Sequence, residues 1–178
     1  VYLIEKGIVN KAIAADLRVG PLENAKLAVD SYGYSDKIEL RLSDGLDNFK
    51  ENEVEEIAIA GMGGLLISSF IERTTWLKNS DIHLILQPMT HVEELRKALF
   101  DNGFIIDNEV SDDGSATIGV EVVAEDDDKL YIIVSAYYYG DTTAYTEFDL
   151  ILGRLPLNQD DLSKKYLSKI YEKYNKKL

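Results

Sequence analysis

The spacing of apolar residues alternates between two periods along the first 103 residues, which predicts strands and helices in turn. Strands are predicted at residues 11–17, 37–42, 55–59 and 83–88, and helices at 22–29, 63–73 and 90–102. Thr90 and Glu93 have the spacing of a capping box for the last of these helices. Strand–helix alternation of this kind is typical of a parallel, doubly wound α/β sheet.

Beyond residue 103 the chain is rich in tyrosine and β-branched residues. Strands are predicted at 104–110, 117–124, 130–139 and 145–152, separated by polar turns such as 126–128. Because such short turns join antiparallel strands, we expect an antiparallel edge on the parallel sheet. Pro156 and Asn158 then precede a last helix. We therefore expect an α/β domain over residues 1–155 and a C-terminal helical segment over residues 156–178.

Charge is distributed unevenly along the 178 residues, whose formal net charge is −13. Residues 164–178 carry six lysines and one glutamate, a balance of +5, so the other 163 residues sum to −18. An acidic body disfavours nucleic acid at long range, whereas a basic tail binds phosphate locally.

The chain has no cysteine, which excludes disulfides and thiolate metal ligands and agrees with a cytoplasmic protein. No apolar run approaches the roughly 20 residues of a membrane helix. The two histidines, His83 and His91, lack the spacing of a metal site, so we predict no metal. Since the chain opens at Val1 within a predicted helix that ends at Gly7, we expect an upstream part to be missing.

Candidate chemistry follows the predicted strands. Asp16 ends the first strand, where a carboxylate accepts from ribose hydroxyls in nucleotide-binding folds, although it also suits the acidic start of a helix. Asp44 and Gly45 follow the second strand, where they suit either an adenine contact or an ordinary Asp-Gly turn.

The third strand runs into Ala60 and then into Gly61-Met62-Gly63-Gly64, which we call the glycine turn. Glycines let the backbone approach a ligand closely. The alternative is a tight turn with Met62 in the core. Gln87-Pro88 ends the fourth strand and offers a side-chain amide at the same edge, or simply stops the strand. With no phosphate-binding loop or nucleophile elbow, these groups fit an adenosine-containing ligand.

Five motifs resemble the bacterial tRNA (adenine-22-N1)-methyltransferase family over residues 2 to about 110. They are KGIVNKAIAADLRVGPLENAK, RLSDGL, IAIAGMGG, LILQP and LRKALFDNGF. The resemblance implies a Rossmann-like class I fold, S-adenosyl-L-methionine as cofactor and tRNA as substrate. The N1 atom of adenine 22 would attack the methyl group in line after the base has been flipped out.

The resemblance also implies roles for particular residues. Asp16 and Leu17 would bind the cofactor's ribose, and Asp44 with Gly45 its adenine. Ala60 and Gly61 would complete the cofactor site.

Catalytic positions are implied in the same way. Gly61, Met62, Gly63 and Gly64 would line the reacting centre, and Gln87 with Pro88 would border the pocket for the target base.

Three features depart from the family. Its glycine-rich first motif is absent together with the first strand, Met89 stands where an asparagine is usual, and residues 111–124 look like an extra segment. Lys165, Lys169 and Lys173, stacked on one face of the last helix, are candidates for RNA contact. The alternative function is a non-catalytic domain that binds an adenosyl ligand or RNA.

Overall fold

The computed structural model describes residues 1–79, 81–106, 109–110, 117–118, 121–142 and 144–176. It divides into two units, Val1–Lys50 and Glu51–Leu178. The assignment of residues 1–155 to one functional domain remains a prediction.

The first unit contains two strand–helix repeats. Its elements are α1 (Tyr2–Glu5), β1 (Ala12–Asp16), α2 (Val19–Ser31) and β2 (Ile38–Leu42). β1 and β2 pair in parallel, as predicted, from Ala12 opposite Ile38 to Asp16 opposite Leu42. Ile4, Val29 and Ile38 form the buried centre of this unit.

Helix α2 begins earlier than the sequence pattern indicated. Gly20 and Pro21, predicted to separate strand from helix, lie in its first turn, after the cap residue Arg18. Proline is tolerated there because the first N–H groups of a helix have no partner within the helix.

The second unit is built on a mixed sheet. Its strands are β3 (Glu56–Gly63), β4 (His83–Thr90), β5 (Phe104–Ile105), β8 (Glu121–Asp126) and β9 (Lys129–Tyr138). β3 and β4 are parallel, and β9 runs antiparallel to β4, β5 and β8. The predicted parallel sheet with antiparallel strands is confirmed. The short strands β6 (Glu109–Val110) and β7 (Thr117–Ile118) pair separately, while the rest of the extra segment up to residue 120 lies outside the described residues.

Helices α3 (Gly64–Arg73) and α4 (Val92–Asp101) supply much of the core. Their buried side chains include Ile67, Phe70, Leu95 and Leu99, while β3 and β4 contribute Ile57, Ile59, Leu84 and Leu86. The alternating burial along β3 and β4 follows from the two-residue period of a strand.

Two predictions about local structure were wrong. The capping box at Thr90 does not form: the cap residue of α4 is His91, in a left-handed conformation (φ 56°), with no side-chain cap bond. Residues 145–152, predicted as a strand, contain helix α5 (Glu147–Leu152), and a real capping box joins Thr146 and Asp149 at its start. A reciprocal cap satisfies two free N–H groups and favours helix over strand.

The C-terminal helical segment is present. A short 3₁₀ turn at Leu155–Leu157 precedes α6 (Asp161–Asn175), and Asp160 caps α6 by accepting the Ser163 N–H at 2.8 Å. The Asn158 side-chain amide donates to the Glu121 carbonyl oxygen at 2.9 Å, which ties the start of this segment to β8.

Candidate functional site

In the first unit, the two predicted carboxylates follow neighbouring parallel strands. Asp16 ends β1, and its carbonyl oxygen accepts from the N–H of Ser43, the residue after β2, at 3.0 Å. Asp44 comes next in the chain and is exposed. The carboxyl ends of parallel strands are where open α/β sheets bind ligands. The structure therefore confirms that Asp16 and Asp44 lie at the same edge of this sheet.

The Asp16 side chain also shapes its own turn. Its Oδ1 accepts the Arg18 N–H at 2.8 Å. An ionised carboxylate has about four lone-pair sites, so this bond leaves capacity for a ligand. Leu17, between the two residues, is 62% exposed.

Ser43 is a site-forming residue that the sequence analysis missed. It is buried, donates from Oγ to the Gly45 carbonyl oxygen at 2.9 Å, and accepts the Asn48 N–H at 3.1 Å. Gly45 has φ 54°, a conformation that glycine adopts at little cost. A serine before an Asp-Gly pair is a known turn signal, and here it holds the loop that presents Asp44.

In the second unit, β3 continues through most of the glycine turn instead of ending at Ile59, as the sequence predicted. Ala60 pairs with Gln87, Met62 with Pro88 and Gly63 with Thr90, with shifts in register on either side of Met62. The irregular pairing places the glycine turn directly beside the Gln87-Pro88 strand end.

Gln87 holds this turn in place. Its Oε1 accepts the Gly61 N–H at 3.0 Å, and its Nε2 donates to the Pro88 carbonyl oxygen at 3.2 Å and to Met89 Sδ at 3.4 Å. Gly61 and Gln87, 26 residues apart in the chain, are thus in direct contact. The Gln87 amide positions the backbone of the glycine turn, which the sequence analysis did not foresee.

The glycines of the turn have different physical roles. A Cβ atom added at Gly64 would lie 2.1 Å from the His91 carbonyl oxygen, so Gly64 is required for packing against the start of α4. At Gly63 the nearest atom, Thr90 Oγ1, would be 3.3 Å away. At Gly61, where φ is +77°, a Cβ atom would meet nothing within 4 Å. Gly61 is therefore the member of the turn with open space beside an exposed backbone.

Met62 is half-buried, whereas Met89 is 52% exposed. Pro88 is buried at the strand end. The alternative interpretation of the glycine turn placed Met62 in the core. Met62 is not fully buried, so the structure does not favour that alternative.

Both histidines have polar partners. His83 Nε2 lies 2.6 Å from Ser135 Oγ, and His91 Nδ1 lies 3.0 Å from Thr90 Oγ1. Across the described ranges, no group of three or more His, Cys, Asp or Glu side chains is arranged to hold a metal ion. Nor does any helix in that part of the chain have the length and apolar character to cross a membrane.

The three lysines of α6 have different surroundings. Lys165 forms an ion pair with Glu125 of β8. Lys169 and Lys173, one and two helical turns further on, border a cleft in the second unit.

Comparison with known proteins identifies the family to which this chain belongs. A family model described as a methyltransferase domain matches residues 1–134. The chain is 32% identical over 144 residues to the tRNA (adenine(22)-N(1))-methyltransferase of Bacillus subtilis, an alignment that covers 81% of this chain and 56% of that protein. The chain thus spans little more than half the length of this curated relative.

Solved structures agree with this relationship. Streptococcus pneumoniae Sp1610 in complex with S-adenosyl-L-methionine is 30% identical with a TM-score of 0.80, covering 99% of this chain and 77% of that one. The B. subtilis m1A22 tRNA methyltransferase TrmK is 26% identical with a TM-score of 0.78, covering 98% of this chain and 72% of that one. These likenesses confirm the resemblance found in the motifs and the Rossmann-like fold. On the match over residues 1–134, the chain belongs to the methyltransferase domain family.

Proposed function

We propose that this protein transfers the methyl group of S-adenosyl-L-methionine to N1 of an adenine in tRNA, at position 22. The observation that carries the proposal is the open backbone of Gly61, fixed by Gln87 beside a strand end. The relatives named above support it: one is a tRNA (adenine(22)-N(1))-methyltransferase and another was solved with S-adenosyl-L-methionine.

The proposed cofactor contacts suit the chemistry of the residues. Carboxylates accept hydrogen bonds from hydroxyl and amine groups, so Asp16, next to Leu17, is assigned to the ribose and Asp44, on the Gly45 loop, to the adenine amine. Ala60 and Gly61 are assigned to the adenosyl ligand because no side chain fills the space at Gly61. When bound, the cofactor supplies an electrophilic methyl group on a sulfonium.

No residue around the target adenine needs to remove a proton from it before methyl transfer. Adenine N1 is a neutral ring nitrogen with an available lone pair, so positioning and exclusion of water are the main tasks of the protein. We assign these tasks to the glycine turn, Gly61 to Gly64 with Met62, and to Gln87 and Pro88. A base in a folded tRNA must leave its stack to reach them, at a cost of a few kcal/mol.

Methyl transfer from tritium-labelled S-adenosyl-L-methionine to a tRNA transcript tests the proposal. We expect transfer to a transcript with adenine at position 22 and none when guanine replaces it. Asp16→Ala and Gly63→Val should abolish transfer, the first by removing the ribose acceptor and the second by forcing a side chain against Thr90 Oγ1, 3.3 Å from the added Cβ atom, and so displacing the glycine turn.

Gly20→Ala is the matched control, because a Cβ atom at Gly20 meets nothing within 4 Å and the position lies in the first turn of a helix. Its transfer rate should stay within about twofold of the unchanged protein, since alanine favours the helix over glycine. Undiminished transfer by both site variants would reject the site assignment. Binding of S-adenosylhomocysteine without transfer to either transcript would favour the non-catalytic alternative.

A further inference from the structure

A cleft of about 540 Å³ lies within the second unit and is lined by Pro88 and the residues that follow it. Its walls are the segment from Pro88 to Glu93, the β8–β9 turn with the start of β9 (Asp128 to Ile132), and one face of α6. We call it the α6 cleft. Its volume lies within the range of about 300–1,000 Å³ that is typical of small-molecule sites.

Aromatic rings line the α6 cleft on two walls. Tyr131 of β9 is half-buried, and Tyr166 and Tyr174 face the cleft from α6 with Ile170 between them. Burial raises the pKa of the Tyr166 phenol above its usual value. Tyr174 is 37% exposed.

Cations accompany these rings. Lys169 and Lys173 lie on the cleft face one helical turn apart, and Lys173 Nζ is 5.8 Å from the centroid of the Tyr174 ring. Including Lys129, three lysines line the cleft against two carboxylates, Glu93 and Asp128. The lining therefore carries a balance of +1 in a chain whose net charge is −13.

The wall formed by α6 is held in place independently of any ligand. Lys165 is ion-paired with Glu125, and Asn158 is hydrogen-bonded to the β8 backbone at 2.9 Å. A wall that is fixed before binding lowers the entropy cost of binding.

We propose that the α6 cleft binds an unpaired RNA nucleotide, with its base stacked on Tyr174 and its flanking phosphates on Lys169 and Lys173. Aromatic rings that alternate with cations along a groove are the usual means of binding single-stranded nucleic acid. The acidic remainder of the chain repels RNA, which confines binding to this face. This proposal rests on the proposed function, because RNA is the substrate of the proposed methyl transfer. Pro88 belongs both to the cleft and to the predicted border of the target-base pocket, so the bound nucleotide is a near neighbour of the target.

The test measures binding of a fluorescein-labelled single-stranded RNA of eight nucleotides by fluorescence anisotropy at low salt, without cofactor. Tyr174→Ala should weaken binding by roughly tenfold, in line with measured base–aromatic stacking. Tyr174→Phe should restore it. Charge reversal at Lys169 and Lys173 should weaken binding further and lower the slope of log affinity against log salt by about 0.7 for each lost phosphate contact.

Matched controls lie on the same helix outside the cleft. Tyr171 is 69% exposed, and Lys164 is paired with Asp161. Tyr171→Ala and Lys164→Glu should stay within about twofold of the unchanged chain. Circular dichroism of every variant excludes unfolding as the cause of a loss.

Three results would overturn the proposal: no RNA binding by the unchanged chain at low salt, equal losses in the cleft and control variants, or unchanged affinity in Tyr174→Ala. A probe with abasic residues distinguishes stacking from simple charge attraction, because it should bind the unchanged chain and Tyr174→Ala equally. Since the assay contains no cofactor, its failure is separate from failure of methyl transfer. If the unchanged chain binds RNA but does not transfer the methyl group, the result counts against the proposed function alone.

Discussion

Gly61 and Gly153 are both in the left-handed region of backbone conformation, with φ of +77° and +61°. They differ in what occupies the space where a side chain would be. At Gly153 a Cβ atom would lie 1.8 Å from Glu121 Oε2 and 2.6 Å from Arg96 Nε. At Gly61 it would meet nothing within 4 Å.

The difference separates a glycine that the fold requires from one beside which the space is open, as the proposed ligand site requires. Arg96 and Glu121 have fully buried side chains, and Arg96 Nε donates to Glu121 Oε1 at 2.8 Å. The Arg154 N–H donates to Glu121 Oε2 at 2.7 Å, a contact that only a glycine at the preceding position allows. The protein's own carboxylate fills the space at Gly153, whereas the space at Gly61 is left open at an exposed strand end.

The buried pair also fixes helix α5. Arg96 Nη1 donates to the carbonyl oxygens of Leu150 and Ile151, in the last turn of α5, at 2.6 and 3.0 Å. Cations are favoured at the C-terminus of a helix, where the last carbonyl groups have no partner within the helix. Arg96 therefore links α4, β8 and α5.

Removing the carboxylate from this cluster should have the largest effect on stability. Glu121→Ala leaves a buried guanidinium without its counter-ion, and we expect the free energy of unfolding to fall by about 3–5 kcal/mol. Lys97→Ala, which breaks the exposed pair with Asp101 on the same helix, should cost far less, because exposed ion pairs contribute little to stability. Urea unfolding measures both costs, and equal costs would show that the buried pair does not stabilise the protein through its contacts with α5.

Adding one methyl group to each glycine tests the comparison directly. Gly61→Ala should cost about 1–2 kcal/mol, because only the left-handed backbone is strained. Gly153→Ala also strains the backbone, at φ 61° and ψ −146°, and in addition displaces the Glu121 carboxylate, which adds about 1–3 kcal/mol of overpacking. Thermal or urea unfolding gives the two values. Equal losses of unfolding free energy in the two variants would contradict the claim that the space beside Gly153 is filled and the space beside Gly61 is open.

The smallest effect expected is a pH dependence at the start of α5. Hydrogen bonds from the Thr146 hydroxyl and backbone N–H hold the pKa of Asp149 below its usual value. A lowered pKa in the folded state stabilises the protein above the pKa of the unfolded state, and this stabilisation is lost as pH falls through the folded-state value. Asp149→Asn should therefore destabilise the protein most near neutral pH and progressively less under acid conditions. Asp36→Asn, at an exposed turn, is the control, and a pH-independent cost at Asp149 would exclude this explanation.

The sequence was sufficient to predict the parallel strands, the antiparallel additions and most helices, because these depend on local spacing of apolar residues. It failed where short segments were ambiguous. Residues 147–152 are apolar enough for either a strand or a helix, and the capping box at Thr146 and Asp149 decided between them. At Thr90 the same kind of motif was misleading, since β4 extends through that residue.

For the candidate site, sequence spacing identified which strand ends carry polar groups and glycines, but not what holds them. The bond from Gly61 to Gln87 spans 26 residues, and the Arg96–Glu121 pair spans 25. Such contacts depend on strand register and helix packing, which no local pattern encodes. The role of Gly64 likewise emerges only from its distance to the His91 backbone.

The most direct test of the central claim is calorimetric titration of the protein with S-adenosylhomocysteine. We predict that the unchanged protein binds it, that Asp16→Ala and Gly61→Ala each weaken binding at least tenfold, and that Gly20→Ala leaves the affinity unchanged. Affinities of both site variants equal to that of the unchanged protein would contradict the account.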